Sequence, residues 1–350
     1  MRDPSHPHPE SRRPSAAEPR LLGMSSPALS AERSPERHGR ITTLPDRRLT
    51  SWGPQRRARL AAIAIWGNLI CQMGIILSGG AVRLTGSGLG CSSWPHCEPG
   101  NFTPELTLEA GIHPFVEFGN RTLTGVLSIF AVAVLLVTYR WLSHKGRGFR
   151  MLAWVPLIGT AAQALIGAFV VWFDLHPGIV SPHFLISPVL GALSTVLLVR
   201  LYDGDSHVRL AVPPRLLGLY VPLAAVGFVV LVLGTLVTGT GPHSGDAGDV
   251  TRLMFSPVVI TRVHAVAVYL FLALLIAMLV VLHRSGARRE ARTAAWWLLA
   301  ATLAQGAVGY IQYFTGLPEL VVFGHLLGAA VFAPMIAWAG ARLVTWQEAR

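Results

Sequence analysis

The stretch LAAIAIWGNLICQMGIILSGGAV, Leu60 to Val82, runs 23 residues without a charged side chain. At 1.5 Å per residue such a helix reaches about 35 Å, enough to cross a bilayer core of about 30 Å. Seven further apolar runs follow. Together they predict spans at 60–82, 116–139, 151–173, 181–201, 216–238, 257–282, 293–314 and 319–343. The 350-residue chain is 52% hydrophobic and 13% charged, roughly half the charge of a soluble domain. The expected fold class is an all-α polytopic membrane protein with eight transmembrane helices.

Residues 1–59 break this pattern. They hold twelve arginines against six acidic residues, many Pro and Ser, and no apolar periodicity. Such a segment buries too little surface to fold alone, and it lacks the apolar run of a signal peptide. A disordered basic tail is expected. The loops then alternate in charge. One side takes the tail, Arg140/Lys145/Arg147/Arg150, Arg200/Arg209/Arg215, Arg284/Arg288/Arg289/Arg292, Arg342 and Arg350, which is 25 of the 29 basic residues. The positive-inside rule puts that side, with both termini, in the cytoplasm of a cell-membrane protein. Because the arginines sit in short loops and the tail, the net charge of +11 speaks for this orientation and against nucleic-acid binding.

The first span runs into RLTGSGLGCSSWPHC, Arg83 to Cys97, which this orientation places outside. There Cys91 and Cys97 can form and keep a disulfide. Zinc held by Cys91, His96 and Cys97 is the rival, although it lacks a fourth ligand and the usual C-x₂₋₄-C spacing. Cys71, within the first span, reads as a buried free thiol.

The two halves of the chain echo each other. AQALIGAFVVW in span 3 answers AQGAVGYIQYF in span 7, with Gln163 and Gln305 142 residues apart. His183 and His325, at the head of spans 4 and 8, are also 142 apart. RLTGSG after span 1 is matched by LVTGTG after span 5, and EFGNRTLTG in span 2 stands where span 6 has VITRVHAVA, setting Asn120 opposite His264. Four spans per unit is an even number, so the repeats share one orientation and are related by an axis along the membrane normal. Two tandem four-helix bundles are expected, 60–202 and 216–346, joined by a cytoplasmic linker at 203–215.

Asn120, His183, His264 and His325 all fall near the outer end of an even-numbered span. Ionisable residues inside a membrane are costly and mark functional sites. A lone histidine at a helix end is commonly structural, but here the residue recurs at equivalent points of two repeats. Zinc would want more protein ligands than two imidazoles on facing helices supply. Haem iron needs one or two axial ligands and an apolar space between helices. Arg83, Arg121, Arg252 and Arg262, the basic residues outside the cytoplasmic side, suit haem propionates; snorkelling to the interface is the plainer reading. Glu117 lies one turn before Asn120 on the same helical face. It is either a favourable charge at a helix N-terminus or a proton donor and acceptor beside a substrate.

These residues resemble the haem A synthases of bacteria and mitochondria over roughly 60–345. The marks are GGAVRLTGSGLGCSSWPHC (79–97), EFGNRTLTG, SPHFLIS around His183, TRVHA around His264 and GHLLGA around His325. The resemblance implies an oxidoreductase that converts the C8 methyl of haem O to the formyl of haem A. It implies a substrate haem in the N-terminal bundle (His183, Asn120, Arg121, Arg83) and haem b as cofactor in the C-terminal one (His264, His325, Arg262). It makes Glu117 the catalytic carboxylate and Cys91–Cys97 the loop disulfide. Haem O arriving from haem O synthase, delivery to cytochrome oxidase, membrane lipid and a second copy of the chain are the partners it implies. One position departs from the family: its usual span 2 histidine is Asn120 here. The iron of the N-terminal haem then has His183 alone, with the Asn120 side open or His113 recruited from the outer loop. A second cysteine pair after span 5, found in some members, is also absent.

Two other functions compete. A haem b electron-transfer subunit predicts matched bis-histidine sites and no use for Glu117. A repeat-built transporter predicts a polar site at the midplane, whereas this polar layer lies near one surface.

Overall fold

The computed structural model describes residues 53–347 apart from 106–110, 204–206, 244, 247 and 249–250. Most of the basic tail expected over 1–59 thus lies outside the described residues.

Eight helices carry the chain: α1 (Pro54–Leu84), α2 (His113–Trp141), α3 (Arg147–Trp172), α4 (Pro177–Tyr202), α5 (Pro214–Thr240), α6 (Pro257–Arg284), α7 (Arg289–Phe314) and α8 (Glu319–Ala341). All eight are long and apolar enough to cross a membrane. This is a multi-pass membrane protein. Proline occupies the first turn of α1, α2, α4, α5 and α6, where its fixed φ suits a helix and its missing N–H costs nothing. Helix ends fall within a few residues of the expected spans, with one correction. α1 begins at Pro54, so residues 54–59 belong to a helix and not to the tail. Apolar periodicity marks only the part of a helix inside the bilayer, and Arg56, Arg57 and Arg59 continue α1 into water.

Within the first four helices α1 packs on α2 and α4, and α3 packs on α2 and α4. The same ring recurs with α5 on α6 and α8, and α7 on α6 and α8. In neither ring do the diagonal helices pack closely, α2 with α4 or α6 with α8. The halves meet mainly through α4 and α8, with α1 also against α8 and α4 against α5.

Each half has its own apolar core, and both cores sit away from the disulfide loop. In the first it comprises Ala61, Ile65 and Leu69 of α1, Val134 of α2, Phe149 and Ala153 of α3, and Leu197 of α4. In the second it centres on Leu216, Leu223, Phe271, Leu275, Met278 and Leu298. Towards the disulfide loop the second half loosens: no residue of 257–266, 303–314 or 319–329 is buried. Outward-facing Ile63, Ile70, Ile129, Leu136, Ile158 and Leu165 are exposed, as an apolar belt against lipid requires.

At the end opposite the disulfide loop a two-stranded antiparallel sheet joins β1 (His207–Leu210) to β2 (Val344–Gln347), with Leu210 facing Val344. It ties the segment between the halves to the end of the chain. Arg342 pairs with Asp203 at 3.0 Å. The buried Lys145 donates to the carbonyls of Arg200 and Asp203, a cation set on the C-terminus of α4 as its dipole favours.

Candidate functional site

Three histidines and one asparagine line the helices on the disulfide side, and each rests against a glycine of the preceding helix. A Cβ at Gly79 would lie 3.9 Å from Asn120 Oδ1; one at Gly167 would lie 3.6 Å from His183 Cε1. One at Gly234 would lie 3.5 Å from His264 Cε1, and one at Gly309 3.3 Å from His325 Cε1. His264 and His325 stand on the unpacked diagonal α6/α8, and Asn120 and His183 on the diagonal α2/α4. His264 and His325 are close enough for the charge of one ring to be felt at the other. Nδ1 of His183, His264 and His325 is buried with no hydrogen bond of normal geometry. A neutral imidazole whose Nδ1 is turned to the protein presents Nε2 as a ligand atom.

This arrangement fits a haem. Two imidazoles across a diagonal, in the loosely packed end of a four-helix ring, are what a haem iron would need as ligands. It does not fit zinc. Cys91 and Cys97 are joined in a disulfide, which removes both from the rival site. No group of three His, Cys, Asp or Glu able to hold a metal ion occurs among the described residues.

Asn120 Oδ1 accepts a 2.6 Å hydrogen bond from Ser78 Oγ on α1. The amide oxygen is thereby engaged, and the Nδ2 hydrogens remain as donors. His113, the alternative ligand, heads α2 with Nδ1 hydrogen-bonded to Ser87 Oγ at 2.9 Å.

Glu117 is buried. Its Oε2 accepts the Cys91 backbone N–H at 2.8 Å, and its Oε1 pairs with Arg121 Nη2 at 2.5 Å. Arg121 Nη1 donates to the carbonyls of Ser93 and His96, at 2.8 and 3.1 Å. All of these partners belong to the disulfide ring or adjoin it, so α2 grips the loop through a carboxylate and a guanidinium. Trp94, inside the ring, packs edge-on against Trp172 of α3. The loop therefore lies clamped over α2 and α3.

Arg83 reaches from α1 to the Thr238 carbonyl of α5 at 3.0 Å. Arg252 donates to the carbonyls of Gly241 and Pro242, near enough to Arg83 for their charges to interact. Among the described residues the partners of both guanidiniums are backbone carbonyls, and a neighbouring pair of this kind suits an anionic group. Arg262 is exposed. The sequence missed Ser78 and the arginine-to-carbonyl bonds: serine beside glycine in an apolar run reads as a packing residue, and backbone acceptors leave no trace in side-chain patterns.

The family of cytochrome oxidase assembly proteins named COX15-CtaA matches residues 62–243, more than half of the chain. The chain belongs to this family. The matched stretch holds Arg83, the cysteine pair, Glu117, Asn120, Arg121 and His183; His264 and His325 lie beyond it. The heme A synthase of Bacillus licheniformis is 32% identical over 141 residues, 40% of this chain and 45% of that protein. That of Lysinibacillus sphaericus is 35% identical over 132 residues, 37% and 41% of the two chains. That of Bacillus pumilus is 30% identical over 167 residues, 47% and 53%. The chain thus spans about half the length of the relatives it matches.

For this family member the disulfide is expected to matter for stability as well as placement. Closing so short a loop stabilises by about 2–3 kcal/mol in the chain-entropy model. The Cys91→Ala/Cys97→Ala protein should unfold at lower temperature in detergent, and its loop should become open to protease. An unchanged melting curve and cleavage pattern would show that the Glu117–Arg121 grip suffices.

Proposed function

We propose that the chain is a haem A synthase of the cell membrane, oxidising the C8 methyl of haem O to a formyl group. The observation that carries this reading is the pairing of His264 and His325 across an open helix diagonal, with Nδ1 buried and a glycine beneath each ring, in a chain of this family. His264 and His325 would hold haem b, which supplies electron transfer when bound. The substrate haem O would lie between α2 and α4 with His183 as its axial ligand. Arg83 and Arg252 would receive propionates, with Arg262 serving the second half. Arg121 has its terminal nitrogens committed to Glu117 and the loop, and so orients these rather than a propionate. Glu117 would exchange a proton beside the reacting methyl while the clamped loop excludes water. The two four-helix units, 60–202 and 216–346, would be related by an axis along the membrane normal, with both termini cytoplasmic and the disulfide loop outside. Haem O synthase would supply the substrate and cytochrome oxidase would receive the product.

Asn120 gives this chain a feature of its own. A carboxamide is a poor iron ligand, and its oxygen is already held by Ser78, so its N–H donors would be left for the substrate haem. With His183 as the single ligand and His113 held at Ser87, the Asn120 side would have no protein ligand to displace. Purified protein should therefore contain haem b together with haem O or haem A, and show one low-spin and one high-spin signal. Asn120→His should move the high-spin signal towards low spin. Haem b alone, with two bis-histidine signals in the unaltered protein, would favour the electron-transfer subunit.

A further inference from the structure

Helices α3 and α7 carry the same interval, Gln163-x-x-x-Gly167 and Gln305-x-x-x-Gly309, 142 residues apart. Both glutamines do the same thing. Nε2 of Gln163 donates to the backbone carbonyl of His183 at 2.9 Å, and Nε2 of Gln305 to that of His325 at 2.7 Å. Both glycines also stand beside the ring, though against different edges of it. Each lies against the ring of that same histidine, at 3.6 Å and 3.3 Å from Cε1 to where a Cβ would stand. The intervening turns match as well. Leu175 and Leu317 adopt φ of 57° and 62°, a conformation unusual for leucine. Their N–H groups close on the carbonyls of Val170 and Gln312, at 2.9 and 2.8 Å. The register between the glutamine helix and the histidine helix is therefore set identically in both halves.

The other two site positions lack this device. Asn120 and His264 rest on Gly79 and Gly234, but four residues before those glycines stand Ile75 and Val230.

We infer that Gln-x-x-x-Gly is a positioning cradle for the axial histidine of the next helix. A helix carbonyl already accepts the N–H four residues on, so the glutamine bond is additional. It spends a long polar side chain inside an apolar bundle on one carbonyl, that of the ligand residue itself. The amide fixes the height and rotation of the helix at the histidine, and the glycine leaves room for the ring: a Cβ at Gly309 would press on Cε1 at 3.3 Å, while one at Gly167 would make ordinary contact at 3.6 Å. In α3 Gln163 takes a second acceptor, Ser187 Oγ at 2.7 Å. Gln163 and Gln305 are thus positioning residues. They act on iron through His183 and His325, as groups outside the ligand shell commonly do.

This inference rests on the haem reading above, and the test separates the two. Full-length protein is purified with its haems, the low-spin and high-spin electron paramagnetic resonance signals are recorded, and haem loss to excess apomyoglobin is timed. Gln305→Leu should shift the low-spin signal and speed loss of that haem on the order of tenfold. Gly309→Ala should shift the same signal, since its new methyl meets the ring. Gln163→Leu should move the high-spin signal and leave the low-spin one alone. Gln312→Leu, one turn beyond Gly309 on the same helix, should change neither. If Gln305→Leu does not accumulate, Gln305→Asn keeps the amide but falls one methylene short, and decides the matter in the same assays. Low-spin signal and haem loss unchanged in the Gln305 and Gly309 variants would overturn the cradle with the haem reading intact. Unaltered protein without a bis-histidine signal would overturn the haem reading itself.

Discussion

Replacing His264 or His325 by alanine is expected to strip the low-spin haem from the purified protein while the chain still reaches the membrane. The two positions lie on helices that do not pack closely against each other, so neither imidazole contributes to a tight core that its loss would collapse. Each rests on a glycine, and each has an Nδ1 without a normal hydrogen bond. Little of the folding energy therefore depends on the rings, and the apolar core around Phe271, Leu275 and Met278 lies elsewhere along the same helices. Losing a ligand should weaken haem retention by more than the roughly 10–100-fold that outer-shell changes cost. Either single variant should also turn any haem that remains high-spin. Optical and paramagnetic resonance spectra of the two variants check this. A normal low-spin spectrum in both would end the assignment of the pair.

The eight helices were legible because a span is a matter of length and apolarity, and both are written in the chain. One shared feature of the halves was legible for a related reason. His183/His325 and Gln163/Gln305 keep one offset, which the structure turns into one hydrogen-bond pattern used twice. What escaped is what depends on acceptors in the backbone. Nothing in the sequence says that Arg83 meets the Thr238 carbonyl, or that Arg121 spends its donors on Ser93 and His96. The positive φ of Leu175 is equally silent, since leucine gives no signal for it. The ion pair of Glu117 and Arg121 went unread, although the two stand four residues apart on one helix. Their separate roles, proton exchange and propionate binding, were read from position and not from that spacing. The structure joins them, and so Glu117 has two tasks to tell apart.

Glu117→Gln should sharply reduce haem A formation, by about 10²–10⁴-fold if the carboxylate exchanges a proton in the reaction. The structure sets a strict control for this. Glu117 also anchors the disulfide loop through Cys91 N–H and Arg121, and the glutamine disturbs that anchor. Its oxygen can still accept from Cys91, but its amide would turn N–H towards the Arg121 guanidinium, donor against donor. A loss of activity alone would therefore not distinguish chemistry from anchoring. Arg121→Ala breaks the same ion pair and the bonds to Ser93 and His96 while leaving the carboxylate in place. If Glu117 only anchors, Arg121→Ala, which removes more of the grip, should be at least as damaging as Glu117→Gln. If Glu117 exchanges protons, Glu117→Gln should fall well below Arg121→Ala in haem A formed per bound substrate, with protease cleavage of the loop no greater. Haem O, or a partly oxidised alcohol, should then accumulate in Glu117→Gln, because the substrate binding proposed for His183 would not depend on the carboxylate. Equal losses in the two variants, rising in step with loop cleavage, would assign Glu117 to the loop and leave the proton to another group.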